Sequence, residues 1–119
     1  GALLPKGFLL GLQFDTLFTD DLYFKISKHA IDMADYLKEI LLEKGCQLYL
    51  DSPTNQQFPI LTQAQRDKLG EKYAFSFWQS VDEDRAAGRF CTGNIARFCT
   101  SWATREEDVD ALVADIQNL

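Results

Sequence analysis

The sequence predicts an α+β domain: a small antiparallel or mixed sheet of about four strands with helices packed on one face. Three observations predict it. Apolar residues recur at three- and four-residue spacing in two long segments, about Leu22 to Lys44 and about Arg105 to Asn118. Short stretches alternate from one side to the other, Tyr73 to Gln79 and Ile95 to Trp102. No glycine-rich phosphate loop joins a strand to a helix, so a nucleotide-binding parallel sheet is not indicated.

The elements follow in order. Gly7 to Phe14 carries no charge, and Phe8, Leu9, Leu10, Leu12, Phe14, Leu17 and Phe18 cover more than one side of a helix. A helix apolar most of the way round needs burial on several sides, so another subunit or another domain is expected against it. With Gly1 in place of an initiator methionine, the sequence is expected to be part of a longer polypeptide. Thr19, Asp20 and Asp21 supply cap residues for the long helix. Its stripe is Leu22, Ile26, Ala30, Met33, Leu37, Ile40 and Leu41, with His29 beside it as a surface residue without a ligand role. Gly45 is placed for a left-handed stop.

Cys46 to Leu50 and Phe58 to Leu61 are expected as short strands, with Pro59 at an edge or an unpaired position. Thr62-Gln63-Ala64-Gln65 opens a short helix ending near Gly70. In the next strand Tyr73, Phe75 and Phe77 point one way and Ala74, Ser76 and Trp78 the other. Asp82, Glu83, Asp84 and Gly88 make a loop, and Thr92-Gly93-Asn94 is a turn signal. Ile95, Arg97, Cys99 and Ser101 share one face of the following strand; Ala96, Phe98, Thr100 and Trp102 share the other. Thr104 and Glu107 form a capping box for the last helix, whose core face is Val109, Leu112, Val113 and Ile116.

Bulk properties narrow the function. At 119 residues, 46% hydrophobic and 25% charged, the chain suits one globular domain. A net charge of −6 argues against nucleic acid and against an anionic membrane surface. No apolar run approaches the roughly 20 residues of a membrane span, and no cleavable signal peptide is visible. Three cysteines, Cys46, Cys91 and Cys99, without paired spacing fit reduced thiols, buried as small hydrophobes in a cytoplasmic protein. With one histidine no metal site assembles.

Self-contained reaction machinery is not recognisable: there is no nucleophile elbow, zinc-protease helix or phosphate loop. What stands out is Arg97 in an otherwise apolar strand. Its guanidinium keeps its charge, so it needs water, an Asp or Glu, or a bound anion at its tip. The run Arg89-Phe90-Cys91-Thr92 recurs as Arg97-Phe98-Cys99-Thr100, which makes Arg89 a second candidate for the same task.

Asp51-Ser52-Pro53-Thr54-Asn55-Gln56-Gln57-Phe58-Pro59-Ile60, together with Arg97-Phe98-Cys99-Thr100-Ser101-Trp102-Ala103-Thr104 and Glu107-Asp108-Val109-Asp110, resembles the C-terminal part of the threonine aldolase and β-eliminating lyase group. These are pyridoxal-phosphate enzymes of the aspartate-aminotransferase-like superfamily. Lys6 to Phe14 is similar to that family's interdomain helix. The resemblance implies an interdomain helix over residues 1–20 and a small C-terminal domain over 21–119, packed on a large cofactor domain that these residues do not include. It implies that an arginine on the sheet, Arg97 with Arg89 as runner-up, binds the α-carboxylate of an amino-acid substrate. The Schiff-base lysine lies upstream in the family and is not Lys6, so no catalytic or cofactor-binding residue is expected here, and the fragment alone is expected to be inactive. A homo-oligomeric parent is implied. Aminotransferase or desulfurase chemistry on the same fold is the nearest alternative; a stand-alone α+β binding or oligomerisation module without cofactor is the other.

Overall fold

The computed structural model describes residues 7–81 and 93–118. Helix α1 (Gly7–Phe18) leads through a 3-10 turn (Thr19–Asp21) into the long helix α2 (Leu22–Glu43). Strands β1 (Gln56–Gln57) and β2 (Ile60–Leu61), helix α3 (Gln63–Gly70), strands β3 (Ser76–Val81) and β4 (Gly93–Cys99) and helix α4 (Glu106–Gln117) follow. The sheet is antiparallel throughout, with β4 at its centre.

One edge of β4 takes β1 and β2 in a single continuous register: Gln56↔Cys99, Gln57↔Phe98, Ile60↔Ile95 and Leu61↔Asn94. They are one strand interrupted at Phe58-Pro59. Pro59 has no N–H to give, so the ladder breaks there, although its carbonyl still accepts from Ala96 N at 3.0 Å. Of the two places expected for Pro59, an edge or an unpaired position, it takes the second, a gap in the pairing with β4. A bridge between Leu48 and Pro59 adds an outer layer, with Tyr49 N donating to Phe58 O and Ile60 N to Gln47 O, each at 2.9 Å. The expected strand Cys46 to Leu50 is reduced to that bridge. The other edge of β4 takes β3, which begins at Ser76 rather than Tyr73. Gly93 and Asn94 lie in β4 rather than in a turn. A Cβ on Gly93 would stand 2.8 Å from Ile60 Cγ2 and 2.9 Å from Leu61 O, so close strand approach is what requires a glycine there.

Helices cover one face of the sheet. Leu37 and Leu41 of α2, Leu69 of α3 and Val109, Leu112, Val113 and Ile116 of α4 close on Leu61, Ala96 and Phe98. Ala34, fully buried, lets α2 come close. A smaller cluster, Phe58, Ile60 and Ile95 with Tyr49 beside it, lies apart from this core. Asp115 ties the segment before β3 to α4: Lys72 Nζ and Tyr73 OH both donate to it. The Lys72 hydrogen bond, then that of Tyr73, holds the Asp115 carboxyl below its ordinary range.

The helix ends follow backbone chemistry more than charge. Gly45 (φ +76°) stops α2; its N–H bonds Leu42 O and that of Cys46 bonds Leu41 O, both at 2.9 Å. Asp20 and Asp21 do not cap α2 with their side chains. Both take left-handed backbone, φ 51° and 58°, and so turn the chain between α1 and α2. The expected capping box at Thr104 is also absent: α4 starts after Arg105, and the Thr104 hydroxyl instead accepts from Ser101 N at 2.9 Å. A complete capping box does occur on α3, between Thr62 and Gln65. Thr62→Ala removes it and is expected to cost about 1 kcal/mol, read as a lower midpoint in thermal denaturation.

Helix α1 buries none of its residues, and Phe8 is 78% exposed. Phe14, Phe18, Tyr23 and Phe24 form an aromatic series along the α1–α2 junction. The radius of gyration is 18.2 Å, against about 13.5 Å for a compact chain of this length. No helix among the described residues is long and apolar enough to cross a membrane.

Candidate functional site

The face of the sheet opposite the helices carries Arg97. Register sets its neighbours. Ser76 pairs with Arg97 on β3, and the continuous register of β1 and β2 sets Phe58 opposite it on the other edge. Phe77 pairs with Ala96 and Gln79 with Ile95, so Trp78 is the extra residue of a β-bulge. Bulges re-aim side chains, and this one brings Trp78 to Arg97. The guanidinium carbon sits 5.2 Å from the Trp78 ring centre. Trp78 in turn stands edge-on to Phe58, at 5.6 Å and 72°. Arg97 Nη2 donates to Ser76 Oγ at 3.3 Å.

Arg97 is half-buried, and none of the ion pairs among the described residues involves it. Its Nε is buried without a partner. This is a cation with a fixed direction and unmet donor capacity, the arrangement that accepts a planar carboxylate in two parallel hydrogen bonds.

The polar segment Ser52 to Gln57 and the turn after β4 are joined. Asn55 Nδ2 donates to Thr100 O at 2.8 Å and Thr100 N to Asn55 O at 3.0 Å. The buried Thr100 hydroxyl donates to Ala30 O at 2.6 Å. Gln57, fully buried, holds Ser52 O and Thr54 O through Nε2, both at 3.3 Å. Thus two stretches far apart in sequence brace one another directly beyond Arg97.

A solved threonine aldolase from Leishmania major is 34% identical to this chain, with a TM-score of 0.83 over 99% of it. Nearly the whole chain is thus similar to one part of a threonine aldolase. It spans 32% of the length of the Leishmania protein. An archaeal O-phosphoseryl-tRNA(Sec) selenium transferase shares the fold at 15% identity, TM-score 0.59, over 82% of this chain and 25% of its own. No protein-family model and no curated protein matches.

Arg97 falls where the alternation of its strand set it, apart from the helix layer. Arg89 and Cys91 lie outside the described residues, as does Lys6. Two expectations need correction. His29 is more than a surface residue: its Nε2 lies 2.7 Å from Thr104 O, and since a carbonyl can only accept, Nε2 carries the proton and pins the turn after β4. Cys99 is exposed at the end of β4, on Arg97's face and away from the helices, whereas Cys46 packs against the core and burial pushes its thiol up. Sequence reasoning missed Trp78 and Ser76 as neighbours of Arg97. Their shared face was visible in the alternation; their pairing with Arg97 required the register.

Proposed function

We propose that residues 21–119 are the small C-terminal domain of a pyridoxal-phosphate-dependent amino-acid lyase of threonine aldolase type, with residues 1–20 as its interdomain helix. Arg97 binds the α-carboxylate of the substrate. The observation that carries this is a half-buried arginine on the face without helices, with no acidic partner among the described residues. A bound carboxylate supplies the missing anion and leaves the amino group and Cα pointing away from the small domain. Holding the carboxylate in two hydrogen bonds orients the Cα bond that breaks.

When bound, pyridoxal phosphate supplies the electron sink for that bond cleavage. This chain's residues fit the substrate's carboxylate rather than the cofactor. The Schiff-base lysine is assigned to the large domain of the same polypeptide, as the resemblance implies. The exposed apolar surface of α1 suits docking on that domain, within a homo-oligomeric cytoplasmic enzyme. Closure of the small domain over the substrate excludes water from the charged pair and strengthens it.

The full-length polypeptide is expected to bind pyridoxal phosphate and to cleave β-hydroxy-α-amino acids, whereas residues 1–119 alone do neither. Absorbance of the bound cofactor and aldehyde release measure the two properties. A full-length protein that binds no pyridoxal phosphate, or binds it without amino-acid cleavage, overturns the assignment.

A further inference from the structure

We propose that Trp78, helped by Ser76, is a positioning residue for Arg97 and thereby sets the affinity for the substrate's carboxylate. The inference rests on the carboxylate reading of Arg97 given above. An arginine reaches its site on a flexible stem, so binding a planar anion in register requires something to hold the plane of the guanidinium. The Ser76 hydroxyl accepts from one terminal nitrogen at 3.3 Å, which fixes a point and leaves the plane free. The Trp78 ring, 5.2 Å from the guanidinium carbon, supplies the flat surface that fixes it.

Trp78 is itself held. Its edge-on contact with Phe58 spans from β3 to the strand on the far side of Arg97, and Phe58 belongs to the buried cluster with Ile60 and Ile95. Burial does not account for an indole here, since Trp78 remains 49% exposed. The bulge at Phe77–Gln79 leaves Trp78 without a cross-strand partner. Arg97 Nε is covered and unpaired, so the terminal nitrogens are left to meet the ligand.

The test uses the full-length holoenzyme. Trp78→Leu keeps apolar bulk and loses the ring; Trp78→Phe keeps a ring face. Trp78→Leu is expected to raise KM for the amino acid about tenfold with kcat within about twofold, and Trp78→Phe to restore most of the loss. Ser76→Ala is expected to raise KM about threefold. The specific readout is competitive inhibition by a substrate-like amino acid against the amino alcohol that lacks its carboxylate. Trp78→Leu lowers that preference about tenfold, which a general loosening of the domain does not do. If Trp78→Leu fails to fold, the same preference in Trp78→Phe and Ser76→Ala decides: a small loss supports the inference and an unchanged preference in both overturns it. Arg97→Ala runs alongside. Wild-type behaviour of Arg97→Ala removes the carboxylate reading itself. An impaired Arg97→Ala with an unchanged preference in Trp78→Leu overturns only the positioning role.

Discussion

Replacing Arg97 by alanine in the full-length enzyme is expected to lower kcat/KM by about 10²–10³-fold. The size follows from the site. Removing one partner of a desolvated charge pair costs about 2–5 kcal/mol, mainly because the other charge is left unpaired. On the proposed reading that other charge is the substrate's carboxylate, enclosed when the small domain closes. Both constants should change: KM because binding is lost, and kcat because an unanchored carboxylate no longer aligns the Cα bond. Arg97→Lys separates charge from shape. A lysine keeps the charge as a point donor but cannot form the fork or present a planar group to Trp78, so it should recover only part of the loss. Steady-state kinetics of the two variants, with circular dichroism to check the fold, measure this. Unaltered kinetics in Arg97→Ala removes Arg97 from the site.

The helices and the face bearing Arg97 were legible because each depends on a period. Leu37, Leu41, Val109, Leu112, Val113 and Ile116 are buried as helical spacing required, and Gly45 takes the positive φ of a stop signal. Ala96 and Phe98 pack under the helices as the two-residue alternation of β4 required. What failed were inferences from local chemistry with several outlets. Asp20, Asp21 and Thr104 are all good cap residues, but the same side chains tolerate left-handed backbone and close turns, and those uses won. Gly93 was read as a turn because a glycine's signal does not distinguish a bend from a close approach; Ile60 and Leu61, more than thirty residues earlier, make that choice. His29 and Thr104 meet across 75 positions, and Trp78 reaches Arg97 through a bulge. Contacts of that kind depend on register, which no periodicity within one segment encodes.

The residue next to Arg97 should behave in the opposite way. Phe98 is 7% exposed and lies in the helix-side core, its ring 5.0 Å from that of Phe75. Phe98→Ala deletes a ring that the surrounding Leu, Val and Ile side chains cannot fully replace. The expected cost is about 3–5 kcal/mol, a large share of the roughly 5–15 kcal/mol that holds a domain. In thermal unfolding that is a fall of about 12–20 °C. Phe77→Ala is the control. It removes the same ring from the neighbouring strand, but Phe77 is 49% exposed and lies under the Arg66 guanidinium rather than in the core. Its cost should stay near 1 kcal/mol, because a ring half in water leaves little cavity behind. Equal losses in the two variants would mean that Phe98 is not the contact through which the sheet grips its helices. Arg97→Ala should leave the midpoint almost unchanged, since it removes a side chain whose charge has no anionic partner among the described residues. Adjacent positions on β4 then divide the work by parity: Phe98 carries the fold and Arg97, on the proposed reading, the ligand.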